Sequence, residues 1–168
     1  MPMLIPDAIE RPTSNTAAVQ KKAMDMLIKH VVEWLTQDGG EVGDEAELRE
    51  QLDDALGGSG LRNGYEAAKT LDQSYCWSPD ADLVETLEAY SVWLMTAEDD
   101  AVRAWVKDCD VKPTHKVGDT VSALWGGEKL TGPIVKIYED TAKYVIHRPG
   151  DQPECGALVA YENVVSIA

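Results

Sequence analysis

No stretch of this 168-residue chain is apolar over the roughly 18 residues that a membrane-spanning helix needs. Cysteine is scarce. Cys76, Cys109 and Cys155 are far apart and odd in number. A disulfide framework uses an even, closely spaced set, so reduced thiols and a cytoplasmic location are expected. The opening "MPMLIPDAIERPTSN" has no basic region followed by an apolar run, so no secretory signal is expected. Signatures of chemistry are missing as well. There is no "C-x-x-C", no phosphate-binding "G-x-x-x-x-G-K-[ST]", no "G-x-G-x-x-G" and no "G-x-S-x-G". His30, His115 and His147 have no Cys, His or Asp partner at metal-ligand spacing. The acidic "DGGEVGDEAE" lacks the alternating ligands of a calcium loop. None of the serines has a base nearby in sequence. No catalytic residue, cofactor or metal is therefore expected, and the chain is read as not an enzyme.

Basic residues are also few: 15 Lys and Arg stand against 30 Asp and Glu, a net charge of −15. The imbalance is uneven. Residues 1–112 hold 23 acidic against 10 basic side chains, and residues 113–168 hold 7 against 5. A surface of that sign repels phosphate backbones, so direct nucleic-acid binding is disfavoured. With 44% apolar residues the chain can still bury a core.

Periodicity divides the chain. Residues 1–12 carry three prolines and no pattern, and are expected to form a flexible arm. "TSN" at 13–15 offers N-caps for a helix running to about Gln37, with Ala17, Met24, Leu27, Ile28, Val31 and Leu35 on one face. Asp44 with Glu47 reads as a capping box before Leu48, Leu52, Ala55 and Leu56, and "GGSG" at 57–60 as its stop. Asn63 and Glu66 repeat the box before Ala67, Leu71 and Tyr75. Ser78 and Pro79 predict a start for a fourth helix, with Leu83, Leu87, Tyr90 and Leu94 buried. "TAED" at 96–99 predicts a cap for a fifth helix carrying Val102, Trp105, Val106 and Cys109. Trp34, Trp93 and Trp105 fall on or beside the apolar stripes, and Trp77 is placed as a staple over the fourth helix. From Lys116 onward the period becomes two. Val121, Ala123 and Trp125, then Val135 and Ile137, then Tyr144 and Ile146 alternate with their neighbours, and "GALVAY" and "NVVSI" supply two more strands.

The motifs "KVGDTVSALW", "TGPIVKIY", "KYVIHR" and "NVVSI" resemble the Src-homology-3-like small barrels of the Tudor and KOW kind, over about a third of the chain. The resemblance implies a five-stranded barrel and a recognition role. In Tudor domains that read methylated side chains, an aromatic cage receives a cation. Trp125 stands where the first cage aromatic is expected, but Leu130, Thr131, His147 and Arg148 occupy the other places, and Arg148 repels a cation. KOW-type barrels that bind RNA carry basic loops, whereas this segment is slightly acidic.

The expected fold is α+β. An acidic α-helical bundle (13–110) follows the arm (1–12), and a linker (111–115) leads to a five-stranded Src-homology-3-like β-barrel (116–168). The expected function is a non-catalytic, protein-binding adaptor or regulator, of the kind found among bacterial and bacteriophage accessory proteins. The alternatives are an acidic inhibitor that imitates nucleic acid in a partner's basic cleft, and a subunit of an enzyme. A protein partner with a basic surface is expected. Trp125 near Tyr138 or Tyr161, in a groove between barrel and bundle, is one candidate contact. The other is the carboxylates of residues 38–54, above all Glu45, Glu50 and Asp54, where eight acids face Arg49 alone.

Overall fold

The helical half is laid down by local capping chemistry, visible in a computed structural model that describes residues 10–37, 39–57, 63–153 and 155–165. α1 spans Ala17–Gln37 and buries Val19, Ala23, Met24, Leu27, Ile28 and Val31. Its first carbonyl is that of Thr16, which accepts from Gln20 N, and the Thr16 hydroxyl accepts from Thr13 N. The cap therefore lies one residue beyond "TSN", and Ala17, expected on the inner face, is exposed. α2 (Glu45–Leu56) starts at Asp44, whose carboxylate accepts from Ala46 N at 2.8 Å. It stops at Gly57, the only described residue of "GGSG", whose left-handed backbone (φ 78°) suits a residue without a Cβ. α3 (Gly64–Tyr75) starts at Asn63, which accepts from Glu66 N at 2.9 Å.

Two predicted boundaries move. α4 (Ala81–Glu88) is capped by Asp80, not Ser78, through a bond from Leu83 N. α5 (Tyr90–Asp108) begins after a break at Ala89 and runs straight through "TAED". The Thr96 hydroxyl bonds back to Val92 O, the helix-interior habit of threonine, so it caps nothing.

Contacts divide the described residues into one unit within 12–101 and a second within 102–165 that also takes in Arg11, so α5 starts in the first and ends in the second. In the helical unit Leu27, Val31, Leu52, Ala55, Ala67, Leu71 and Leu83 have no exposure, and Ala97 of α5 closes the cluster. Trp34 and Trp77 stack at its margin, with centroids 6.2 Å apart and planes 7° from parallel. Their indole N–H groups bond Asp80 and Gln51, so the pair ties α1 to α2 and to the α4 cap. Trp77 thus staples against α1 rather than over α4 alone.

The second unit holds β1 (Thr120–Trp125), β2 (Glu128–Tyr138), β3 (Lys143–Ile146), β4 (Ala157–Ala160), a 3₁₀ turn (Tyr161–Asn163) and β5 (Val164–Val165). They form one antiparallel sheet in the order β4-β3-β2-β1-β5. The "VGD" turn works through its backbone and one carboxylate: Lys116 N donates to the Asp119 carboxylate, and Ile134 N to Asp119 O. Val121, Ala123, Ile134, Tyr144, Ile146, Ala157 and Val159 make the core. Ile134, not Val135, is the buried apolar side chain of β2, because the register shifts between Ile134 and Lys136 and a bulge resets the alternation. The last turns of α5 belong here. Val102 and Trp105 pack on Ala142 beside Tyr161.

Residues 1–9 of the expected arm lie outside the described residues, but Arg11 is held. Its guanidinium donates to Thr141 O at 2.8 Å and Ala142 O at 3.2 Å, lies 3.4 Å from the Glu162 carboxylate, and sits over the Trp105 ring.

Gly64 is the tightest helical contact. A Cβ there would lie 2.4 Å from Val84 O and 2.7 Å from Glu88 N, both backbone atoms that cannot step aside. Gly64→Ala is expected to destabilise the protein by about 1–3 kcal/mol as α3 and α4 separate. Urea unfolding measures this, and an unchanged midpoint would contradict the packing described.

Candidate functional site

α2 sorts its residues by face. Leu48, Leu52, Ala55 and Leu56 are buried, while Glu45, Glu47, Glu50, Asp53 and Asp54 are exposed, as are Glu41 and Asp44 before it. Asp38 lies outside the described residues. Arg49 is half-buried and bridges back to Asp25 on α1, with Glu45 at 3.5 Å, and Lys21 reaches the same Asp25 at 2.9 Å. These two cations hold the Asp25 carboxyl below the usual carboxylate range. Asp54 accepts from the Tyr75 hydroxyl at 3.0 Å. Glu50 and Asp53 have no ion pair among the described residues.

Between α1, α2 and the start of α5 lies an open cleft of about 510 Å³. Ala17, Met24, Ala46 and Tyr90 give it apolar surface, and Lys21, Arg49, Glu50 and Asp53 carry charge into it. Tyr90 is 5% exposed. Its hydroxyl bonds no described residue, and burial first, then the Asp53 charge, push its pKa up. Sequence reasoning placed Tyr90 only on the apolar stripe of a helix. The available signal was a hydroxyl-bearing residue in a stripe otherwise made of leucine.

In the sheet unit Trp125 is 44% exposed, although its phase puts it with the buried Val121 and Ala123, because it ends its strand. The Arg148 guanidinium lies 5.0 Å from its ring centroid. Asp151 fixes that guanidinium through two bonds, at 2.8 and 3.1 Å. The pairing raises the Arg148 pKa and lowers that of Asp151. Trp125 pairs with Glu128, the first residue of β2, whereas Tyr138 is the last residue of that strand. Tyr161 N bonds Ala142 O in the turn beside Tyr138. The sheet therefore sets Trp125 at one end and the two tyrosines at the other, and the expected aromatic cluster is not assembled. Tyr138 is exposed under Lys136 Nζ at 4.5 Å. Tyr161 packs on Tyr144 at 4.2 Å with its hydroxyl buried and unpartnered, and burial pushes its pKa up.

The three histidines are set in packing and backbone contacts. His30 meets Trp93 edge-on at 4.7 Å, His115 meets Tyr144 at 6.0 Å, and His147 Nδ1 lies 3.2 Å from Cys155 O. Among the described residues no His, Cys, Asp and Glu side chains gather in a group able to hold a metal, and no helix is long and apolar enough to cross a membrane. Comparison with protein-family models, curated proteins and solved structures finds no match.

Trp125→Ala is expected to cost about 1 kcal/mol or less, against about 3–5 kcal/mol for a buried tryptophan. A loss in the larger range in chemical denaturation would place the ring in the core. Tyr161→Phe removes a buried hydroxyl that has no partner, so thermal unfolding should stay unchanged or rise slightly. A clear fall would show that the hydroxyl is bonded.

Proposed function

We propose that this chain is a non-catalytic binding protein whose acidic helical unit docks on a basic protein surface. The observation that carries the reading is the state of the cations around α2. Arg49 and Lys21 are both committed to Asp25, and Glu47, Glu50 and Asp53 stand exposed with no ion pair among the described residues. An outward field of one sign selects a partner of the other and speeds its approach. The same row of carboxylates favours a narrower form of the reading, an inhibitor that fills a cleft built for nucleic acid. Competition between this chain and a DNA oligonucleotide for the partner separates the two.

We further read the sheet unit as a Src-homology-3-like barrel of the Tudor and KOW kind. The support is the single inward cluster formed by β1, β2, β3 and β4 residues, together with the "VGD" turn that leads into β1. Methyl-lysine reading is not part of the proposal, since Arg148 already covers the Trp125 ring. The three cysteines are free, which fits a reducing compartment, and we assign the protein to the cytoplasm on that ground.

The test is salt and charge. Exposed attraction weakens as the Debye length falls from about 10 Å at 0.1 M salt to about 3 Å at 1 M. Affinity for the partner captured from native cells should fall by about tenfold or more over that range. Glu45→Lys with Glu50→Lys and Asp54→Lys should weaken it further at low salt. A complex indifferent to both would leave α2 as a solubilising surface.

A further inference from the structure

We infer that the cleft between α1, α2 and Tyr90 is a socket for one arginine side chain of the basic partner, an inference that rests on the function proposed above. Three observations converge on it. The first is charge. Of the groups around the cleft, Lys21 and Arg49 are positive, and Asp25, Glu45, Glu50 and Asp53 are negative. Asp25 and Glu45 answer the two cations, which leaves Glu50 and Asp53 uncompensated on the wall. They stand at i and i+3 on α2, about 5–6 Å apart at Cβ, a spacing that one planar guanidinium can bridge.

The second is a polar group with nothing to do. Tyr90 is 5% exposed and lines the cleft, yet its hydroxyl bonds no described residue. The hydroxyl oxygen is open to solvent at the cleft, where an incoming N–H donor finds a ready acceptor. The third is surface. Met24 and the Tyr90 ring offer apolar area for the methylene stem, so that only the charged head must reach the carboxylates. The volume, about 510 Å³, accepts such a side chain with solvent around it. An anion fits this wall poorly, because each cation able to receive it is already shared with Asp25.

The probe is the capped peptide Gly-Gly-Arg-Gly-Gly, with lysine and glutamine in place of arginine as comparisons, titrated into the full chain at low ionic strength. Methyl and aromatic NMR signals of Met24 and Tyr90 report the cleft directly. The arginine peptide should shift both, the lysine peptide less, and the glutamine peptide not at all. Glu50→Gln with Asp53→Asn should weaken arginine-peptide binding by about tenfold. Glu66→Gln with Glu85→Gln, which removes equal charge elsewhere, should change it by less than about twofold. Tyr90→Phe keeps the ring and should weaken binding by about threefold without lowering the unfolding temperature. Unshifted Met24 and Tyr90 signals, equal loss in the two charge-matched doubles, or equal binding of the glutamine peptide would each overturn the socket. Partner capture that stays salt-sensitive in that event keeps the wider function and removes only the socket. Salt-insensitive capture with a responsive cleft does the reverse.

Discussion

A shortage of positive charge governs this molecule. Thirty carboxylates share fifteen Lys and Arg residues, so every cation committed internally leaves further anions facing outward. The commitments are specific. Lys21 and Arg49 converge on Asp25, Lys22 holds Asp100, Arg103 holds Asp140, and Arg148 holds Asp151. Asp25 and Asp151 have pKa values lowered by these partners. A lowered folded-state pKa contributes stability above the unfolded carboxylate range and loses it as pH falls through the folded value. Acid also neutralises the unpaired carboxylates and relieves their repulsion. The two effects oppose each other below about pH 4, and because these pairs are exposed neither dominates by much.

The sheet unit meets its needs differently, through backbone carbonyls and buried rings. Ala142 adopts a left-handed conformation (φ 48°) while fully buried, a conformation disfavoured for a residue with a Cβ. Its surroundings hold it there. Its carbonyl accepts from Tyr161 N and from Arg11, and its methyl group packs against Trp105 and Val102. One turn between β2 and β3 thus gathers the end of α5, the 3₁₀ turn and the residue that closes the N-terminal segment. A strand reading by alternation alone sees only the loop "EDTA", since every one of its partners is distant in sequence.

The same division explains which features the sequence disclosed. Asp44, Asn63 and Gly57 act on backbone groups within a few residues, so their roles were legible from spacing. Asp80 won over Ser78 because it satisfies two donors at once, Leu83 N and the Trp34 indole, and the second comes from α1. The "TAED" boundary failed because Thr96 was free to bond backwards along its own helix. The outward face of α2 followed from Leu48 and Leu52 alone. The cleft could not be read the same way: residues 17–24, 46–53 and 90 meet only once the helices pack. Trp125 was legible as a ring worth exposing, and the resemblance set Arg148 at the same cage; what spacing did not disclose is that Asp151 holds that guanidinium at the ring.

Trp125 and Tyr90 pose one problem with two outcomes. An aromatic side chain beside carboxylate offers a place for a cation. At Trp125 the chain supplies its own, and Asp151 neutralises it, so the ring face is already taken. At Tyr90 the nearby cations are drawn off by Asp25, and Glu50 and Asp53 are left beside an unpartnered hydroxyl. Filling that place from within would need another Lys or Arg on α1 or α2. α2 offers only Arg49, Lys22 of α1 is spent on Asp100, and Lys29 of α1 does not line the cleft. A chain this poor in cations therefore completes the first site itself, and the second is the one that the proposed partner would complete.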